Sequence, residues 1–207
     1  MATVVQSSNL NEELGMVHYI FSDKTGTLTQ NIMEFKRMSI GTQVYGTDPP
    51  KGLERHDIKY APGVTNVNFY DPNFLEQLKD PSHPQYSKIR DFMEALGLCH
   101  TVRITKKQTK EGINYDAYNA TSPDELALVN GARHLGFAYE GVDDDRQTVC
   151  ETWDGPVKYE HLNVIEFDSD RKRMTVFVKT PANKIIMFCK GADSIISERL
   201  RADQAKL

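Results

Sequence analysis

Apolar and polar positions along the chain alternate between two periods. Val17-His18-Tyr19-Ile20-Phe21 is a short apolar run, the pattern of a buried strand. Upstream, Asn9 or Asn11 is placed to cap a short helical turn that Gly15 ends. Residues 32–40 partly alternate and predict a strand leading out of the first segment. Farther on, Ile89, Phe92, Met93 and Leu96 recur at helical spacing and predict a helix over 87–100 with one core-facing stripe. Residues 101–104 and 115–118 flank a charged turn near Gly112 and predict a β-hairpin. Ser122-Pro123-Asp124-Glu125 reads as a helix start. Ser122 is the cap, Pro123 the first helical position and Glu125 the return partner of a capping box, and the helix stops near Gly136. The remainder predicts strands at 137–140, 148–153, 158–167, 174–180 and 184–189, then a short helix over 191–200. Val176, Val178, Ile186 and Phe188 fall on the inward face by alternation.

Between these periodic segments, residues 47–84 have a different texture. Six of the nine prolines lie there, interleaved with Asp, Asn and Gly, which predicts a surface insertion with one short helix around 73–78. The expected fold is α/β in the broad sense (α+β): an antiparallel sheet flanked by helices, preceded by a lone strand and loop. The expected division is residues 1–33, then 34–207 with the insertion inside it.

Length and composition narrow the chemistry. The 207 residues, 39% hydrophobic and 26% charged, suffice for one large domain or one domain plus a piece of another. A net charge of -4 gives no reason to expect a nucleic-acid partner. No apolar run approaches the ~20 residues of a membrane helix. The N-terminus lacks the charged-then-apolar pattern of a signal peptide. Three distant cysteines, Cys99, Cys150 and Cys189, fit reduced thiols better than a disulfide framework. The six histidines are scattered, which argues against a zinc site. Asp143-Asp144-Asp145 lacks the glycine and terminal glutamate of a calcium loop and reads as a solvated turn.

The candidate chemistry begins at Asp23-Lys24-Thr25-Gly26-Thr27, directly after the apolar run. At the carboxyl end of a strand, Asp23 stands where open α/β sheets present ligands. A carboxylate there can attack a phosphoryl group and carry it as an acyl phosphate. Lys24 adds positive charge for the phosphate oxygens, and Gly26 allows a sharp turn. The plain alternative is a polar surface turn. Three later pieces fit a nucleotide site. Glu125 is one, although a capping box alone would explain it. Phe167-Asp168-Ser169-Asp170-Arg171-Lys172-Arg173 is the second, offering a ring for a base and cations for phosphates, or else a core phenylalanine beside an exposed basic turn. Lys190-Gly191 is the third, where Gly191 would permit close approach of a ligand, or else an ordinary strand-to-helix turn.

The Asp23–Thr27 run resembles the phosphorylation signature of P-type ATPases. Combined with Ser122–Glu125, Phe167–Met174, Lys190–Asp193, Ser8–Gly15 and Asn31–Phe35, the pattern resembles the type IV subfamily, the phospholipid flippases, over nearly the whole chain. That resemblance implies that Asp23 is the phosphorylated nucleophile. It implies that Glu125, Phe167, Ser169, Lys172 and Lys190 contact ATP while Asp23, Lys24 and Thr25 meet its phosphate end. Magnesium would be held by Asp23 and the Thr25 carbonyl. Related haloacid-dehalogenase-like phosphatases carry a general acid two positions after the nucleophile. Here that position is Thr25, which suits storage of the intermediate. The implied function is the catalytic cytoplasmic part of an ATP-driven phospholipid translocase, multi-pass in its membrane, with an accessory subunit as a further implied partner. A nucleotide-binding module without turnover, an ion pump of another subfamily and a β-rich interaction domain stay open. The chain ends at Leu207, before the later motifs of that phosphorylation domain. It is therefore expected to behave as a fragment that folds around 36–200, binds ATP weakly and turns over little. A hinge near residues 31–36 would have to close to bring phosphate to Asp23.

Overall fold

The computed structural model describes residues 10–53, 58, 60–145 and 147–204. The chain divides into two compact units, Met1–Ile32 and Met33–Leu207.

In the first unit, α1 spans Leu10–Gly15, with Glu12 and Glu13 in its opening turn. Asn9 lies outside the described residues. The strand expected at 17–21 does not form: the segment has no regular structure. Tyr19, Ile20 and Phe21 are 82%, 85% and 95% exposed. An apolar run becomes a strand only when a neighbouring strand takes up its backbone N–H and C=O groups. Among the described residues nothing pairs with it.

Near the start of the second unit, Phe35 bridges to Val67. Of the strand expected over 32–40, only β1, Met38–Ile40, forms a ladder, pairing antiparallel with β2, Gln43–Tyr45. The proline-rich stretch contributes α2, Pro72–Lys79, close to where the sequence predicts a helix. Asp71 caps it by accepting from the N–H groups of Asn73 and Phe74, both at 3.1 Å. This stretch is not confined to the surface, because Val67, Phe69, Phe74 and Leu78 are buried in the main core. Proline and aspartate counts mark loop backbone but do not reveal which interspersed apolar side chains turn inward.

Next comes α3, Tyr86–Leu98, burying Ile89, Met93 and Leu96 as the stripe predicts. The hairpin is β3, Arg103–Gln108, with β4, Asn114–Asn119. Helix α4, Pro123–His134, starts at Ser122, whose Oγ accepts from the Glu125 N–H at 3.4 Å.

The rest is a five-stranded antiparallel meander in sequence order: β5 Ala138–Val142, β6 Gln147–Thr152, β7 Gly155–Asp168, β8 Arg173–Lys179 and β9 Ile185–Gly191. A short helix, α5 Asp193–Ser197, follows. Met174, Val176 and Val178 of β8 are buried in the same core as Ile89, Met93 and Phe137, with Ile186 and Phe188 packed against it. Helices and sheet thus share one apolar layer, the α+β arrangement the sequence predicts.

Two irregularities shape the sheet near its end. The register between β7 and β8 shifts between Ile165 and Asp168. Lys172, in the turn that follows, has φ +50°. Its N–H donates to the Asp168 carbonyl at 2.6 Å, and its carbonyl accepts from the Ala192 N–H at 3.0 Å. That turn is thereby tied to the residue after β9.

Candidate functional site

A cavity of about 710 Å³ opens at this end of the second unit. Three elements supply most of its lining, with Thr101 and Met174 of β8 completing it. The first turn of α4 brings Ser122, Asp124 and Glu125, the end of β7 brings Glu166 and Phe167, and the end of β9 brings Lys190 and Gly191. Neighbouring residues of a regular strand point to opposite faces. The β7 register shift bends the strand there, and Glu166 and Phe167 border the same cavity. Phe167 is 63% exposed, which removes the core alternative for it.

Glu125 is 8% exposed. A capping box would send its carboxylate back to the Ser122 N–H. Only half of that box exists. The carboxylate instead accepts from the Thr101 N–H and Thr101 Oγ1, both at 3.0 Å, and from Lys190 Nζ at 3.4 Å. A carboxylate removed from water needs such donors, and an ammonium is the strongest of them. The pair therefore links α4 to β9 across 65 residues of chain.

Lys190 emerges from β9 opposite Met174 of β8. Gly191 is required by the packing of its own sheet. A Cβ there would lie 2.5 Å from the Lys172 carbonyl oxygen and 2.6 Å from Arg173 Cβ. The neighbouring turn fills the direction a Cβ would take, and Gly191 also borders the cavity.

In the basic turn, two of the three cations bond to nearby backbone carbonyls. Arg171 Nη1 donates to the Glu166 carbonyl at 3.4 Å, and Arg173 Nη1 donates to the Arg171 carbonyl at 3.1 Å. Asp168 accepts from the N–H groups of Asp170 and Arg171, and these bonds hold its carboxyl below the usual range. Ser169 and Lys172 are exposed in this turn and do not line the cavity. So the structure gathers Glu125, Phe167 and Lys190, and leaves Ser169 and Lys172 just outside.

The sequence reading missed Thr101, Asp124 and Glu166 as cavity residues. Thr101 carried no signal, since it stood only as the first residue of an expected strand. Behind it, Cys99 and His100 are buried. Burial pushes the Cys99 thiol up to about 11 and His100 down to about 4.

In the first unit, the Asp23 loop is exposed. Asp23 Oδ1 accepts from the Lys24 N–H at 2.7 Å. The Lys24 carbonyl accepts from Leu28 N, Thr29 N and Thr29 Oγ1 at 3.0–3.1 Å, which closes the loop around Gly26, at φ +82°. Thr25 bridges to Thr29. Among the described residues no cluster of three or more His, Cys, Asp or Glu forms a metal cage. A carboxylate and a carbonyl are hard oxygen donors. They suit magnesium, which takes few protein ligands and shares substrate phosphates. Asp23 and Thr25 fit that role by donor chemistry. No helix among the described residues is long and apolar enough to cross a membrane.

A family model described as the P-type ATPase cytoplasmic domain N matches residues 88–202. The chain is 42% identical over 204 residues to the phospholipid-transporting ATPase IC of Homo sapiens, covering 94% of this chain. It is 40% identical over 205 residues to the phospholipid-transporting ATPase IK of Mus musculus, covering 98%. It is 36% identical over 233 residues to the phospholipid-transporting ATPase DNF1 of Chaetomium thermophilum, covering 96%. The chain spans 15% of the length of each of these curated relatives.

Proposed function

The chain belongs to the family of P-type ATPase cytoplasmic N domains, and from that premise we propose that it binds Mg-ATP and delivers the γ-phosphate to Asp23 within a longer, phospholipid-translocating protein. The observation that carries this reading is the single cavity shared by Glu125, Phe167 and Lys190. The exposed Phe167 ring offers a face for the adenine. Lys190, held by Glu125, fixes one cation at the cavity. Asp124, Glu125 and Glu166 make the lining predominantly acidic. Base and ribose belong there, and the triphosphate belongs toward the basic turn with Ser169 and Lys172.

In the first unit, Asp23 supplies the nucleophile. One carboxylate oxygen forms a bond to the γ-phosphorus. The bond from that phosphorus to the β–γ bridging oxygen breaks, and ADP leaves with the electron pair. Lys24 offsets negative charge on the transferring group. Asp23 and the Thr25 carbonyl would hold magnesium, which would supply the charge neutralisation that lets two anions meet. The Thr25 hydroxyl is far too weak an acid to stand in for a carboxylic general acid, so the aspartyl phosphate persists long enough to drive a conformational step. Transfer requires the nucleotide-holding unit to reach Asp23, and residues 31–36 are the hinge. The lipid substrate, the membrane setting on the cytoplasmic side and an accessory subunit belong to the longer protein.

The test is acid-quenched labelling of the full-length protein with ATP radiolabelled at the γ-phosphate. Acid-stable, hydroxylamine-sensitive label that disappears in Asp23→Asn is the expected result. Label retained in Asp23→Asn would overturn the assignment of the nucleophile.

A further inference from the structure

Glu125 is buried, and its carboxylate has few donors. One residue serves both oxygens. The Thr101 N–H donates to Oε1 and the Thr101 hydroxyl to Oε2, each at 3.0 Å. The contact from Lys190 Nζ to Oε1 is longer, 3.4 Å. Two short bonds from a single residue fix both the position and the plane of a carboxylate, whereas one longer contact fixes neither. We propose that Thr101 is the positioning residue of the nucleotide site. It clamps Glu125 so that Oε1 faces Lys190, and the carboxylate in turn holds the ammonium at the cavity. This inference rests on the nucleotide reading given above.

Thr101 can do this because the turn that carries it is rigid. Cys99 N donates to the Ala95 carbonyl at 2.9 Å and ends α3. Cys99 Sγ donates to the carbonyl of Phe188, on β9 two residues before Lys190. The Val102 N–H donates to His100 Nδ1 at 3.1 Å, so the proton of the neutral ring sits on Nε2 and donates to the Gly97 carbonyl at 2.9 Å. The His100 ring also stacks edge-on against Tyr139, with centroids 4.6 Å apart. Thr101 is thus held between two buried residues, His100 and Val102. Its own hydroxyl is the variable part. Without it, Oε2 loses its fixed donor, and the carboxylate turns toward its remaining partners. Lys190 then moves with it.

The experiment compares Thr101→Val and Thr101→Ser in the chain as it stands. Valine keeps the N–H and the shape but loses the hydroxyl, and serine keeps the hydroxyl. Thr101→Ala repeats the comparison where the second methyl of valine disturbs the turn. Two readouts are taken. Without nucleotide, the Lys190 side-chain NMR signals move in Thr101→Val and stay near their wild-type positions in Thr101→Ser. With Mg-ATP, calorimetry gives an affinity about 5- to 20-fold weaker in Thr101→Val, and within about threefold of wild type in Thr101→Ser. Unmoved Lys190 signals in Thr101→Val, or serine and valine variants weakened alike, overturn the positioning role. A wild-type chain that binds no Mg-ATP refutes the nucleotide reading itself, and this inference with it.

Discussion

Replacing Gly191 by alanine strains the sheet at the cavity. The added Cβ would stand 2.5 Å from the Lys172 carbonyl oxygen, 2.6 Å from Arg173 Cβ and 2.8 Å from Arg173 Cα. Two of these three neighbours are backbone, so no side-chain rotation relieves the contact. The β8 and β9 ends must separate. Overpacking of this kind costs roughly 1–3 kcal/mol. Separation also weakens the 3.0 Å bond from the Ala192 N–H to the Lys172 carbonyl, worth about 1 kcal/mol. The expected loss is therefore about 2–4 kcal/mol. Urea unfolding followed by Trp153 emission measures it. With a slope of roughly 2 kcal/mol/M, the midpoint falls by about 1–2 M. The same shift moves Lys190, one residue away, so Mg-ATP affinity falls too. A variant whose midpoint and affinity both match wild type would refute the argument that the neighbouring backbone demands a glycine here.

Phe167→Ala removes the exposed ring, and base–aromatic stacking of about 1–3 kcal/mol corresponds to a roughly 5- to 150-fold weaker Mg-ATP affinity with little change in melting. An equal affinity would remove the ring from the site. Gly131→Ala drives a Cβ to within 2.6 Å of the Phe35 ring, so stability drops by about 1–3 kcal/mol in denaturant titration; an unchanged midpoint would contradict that packing. His100 binds its proton only near pH 4 in the folded chain, against about 6.5 unfolded, so folding disfavours the charged ring. The sign follows: this contribution is complete above pH 6.5, falls away between 6.5 and 4, and totals up to about 3 kcal/mol. Unfolding measured across that window should slope for wild type and flatten in His100→Gln. Equal slopes would assign the acid sensitivity to other groups, His134 and His161 among them, since burial lowers both.

Much of the second unit is legible in the sequence because its signals are local. The Ile89–Met93–Leu96 stripe, the Ser122-Pro123 start of α4 and the alternation through Val176 and Val178 each follow from neighbouring residues alone. The failures are non-local. Residues 17–21 carry a strand's composition but have no pairing partner among the described residues. Val67 and Phe69 look like loop residues until tertiary packing buries them. At the site, the sequence offers Glu125, Phe167 and Lys190 as separate weak hints, and only the sheet brings them together. Glu125 shows the limit most clearly. Its position in a capping box is readable, but its real partners, Thr101 and Lys190, lie 24 and 65 residues away. Gly191 is legible as a position that needs glycine, but the close approach of the Lys172 carbonyl to it is a tertiary fact.

The proposed reading places a nucleotide against Phe167, in the cavity that Glu125 and Lys190 also line. Backbone amide spectra recorded during titration of the chain with Mg-ATP test it most directly. The account predicts saturable shifts concentrated at residues 101, 121–125, 166–172 and 190–192. Saturable shifts clustered on another surface, or none at millimolar ATP, would contradict it.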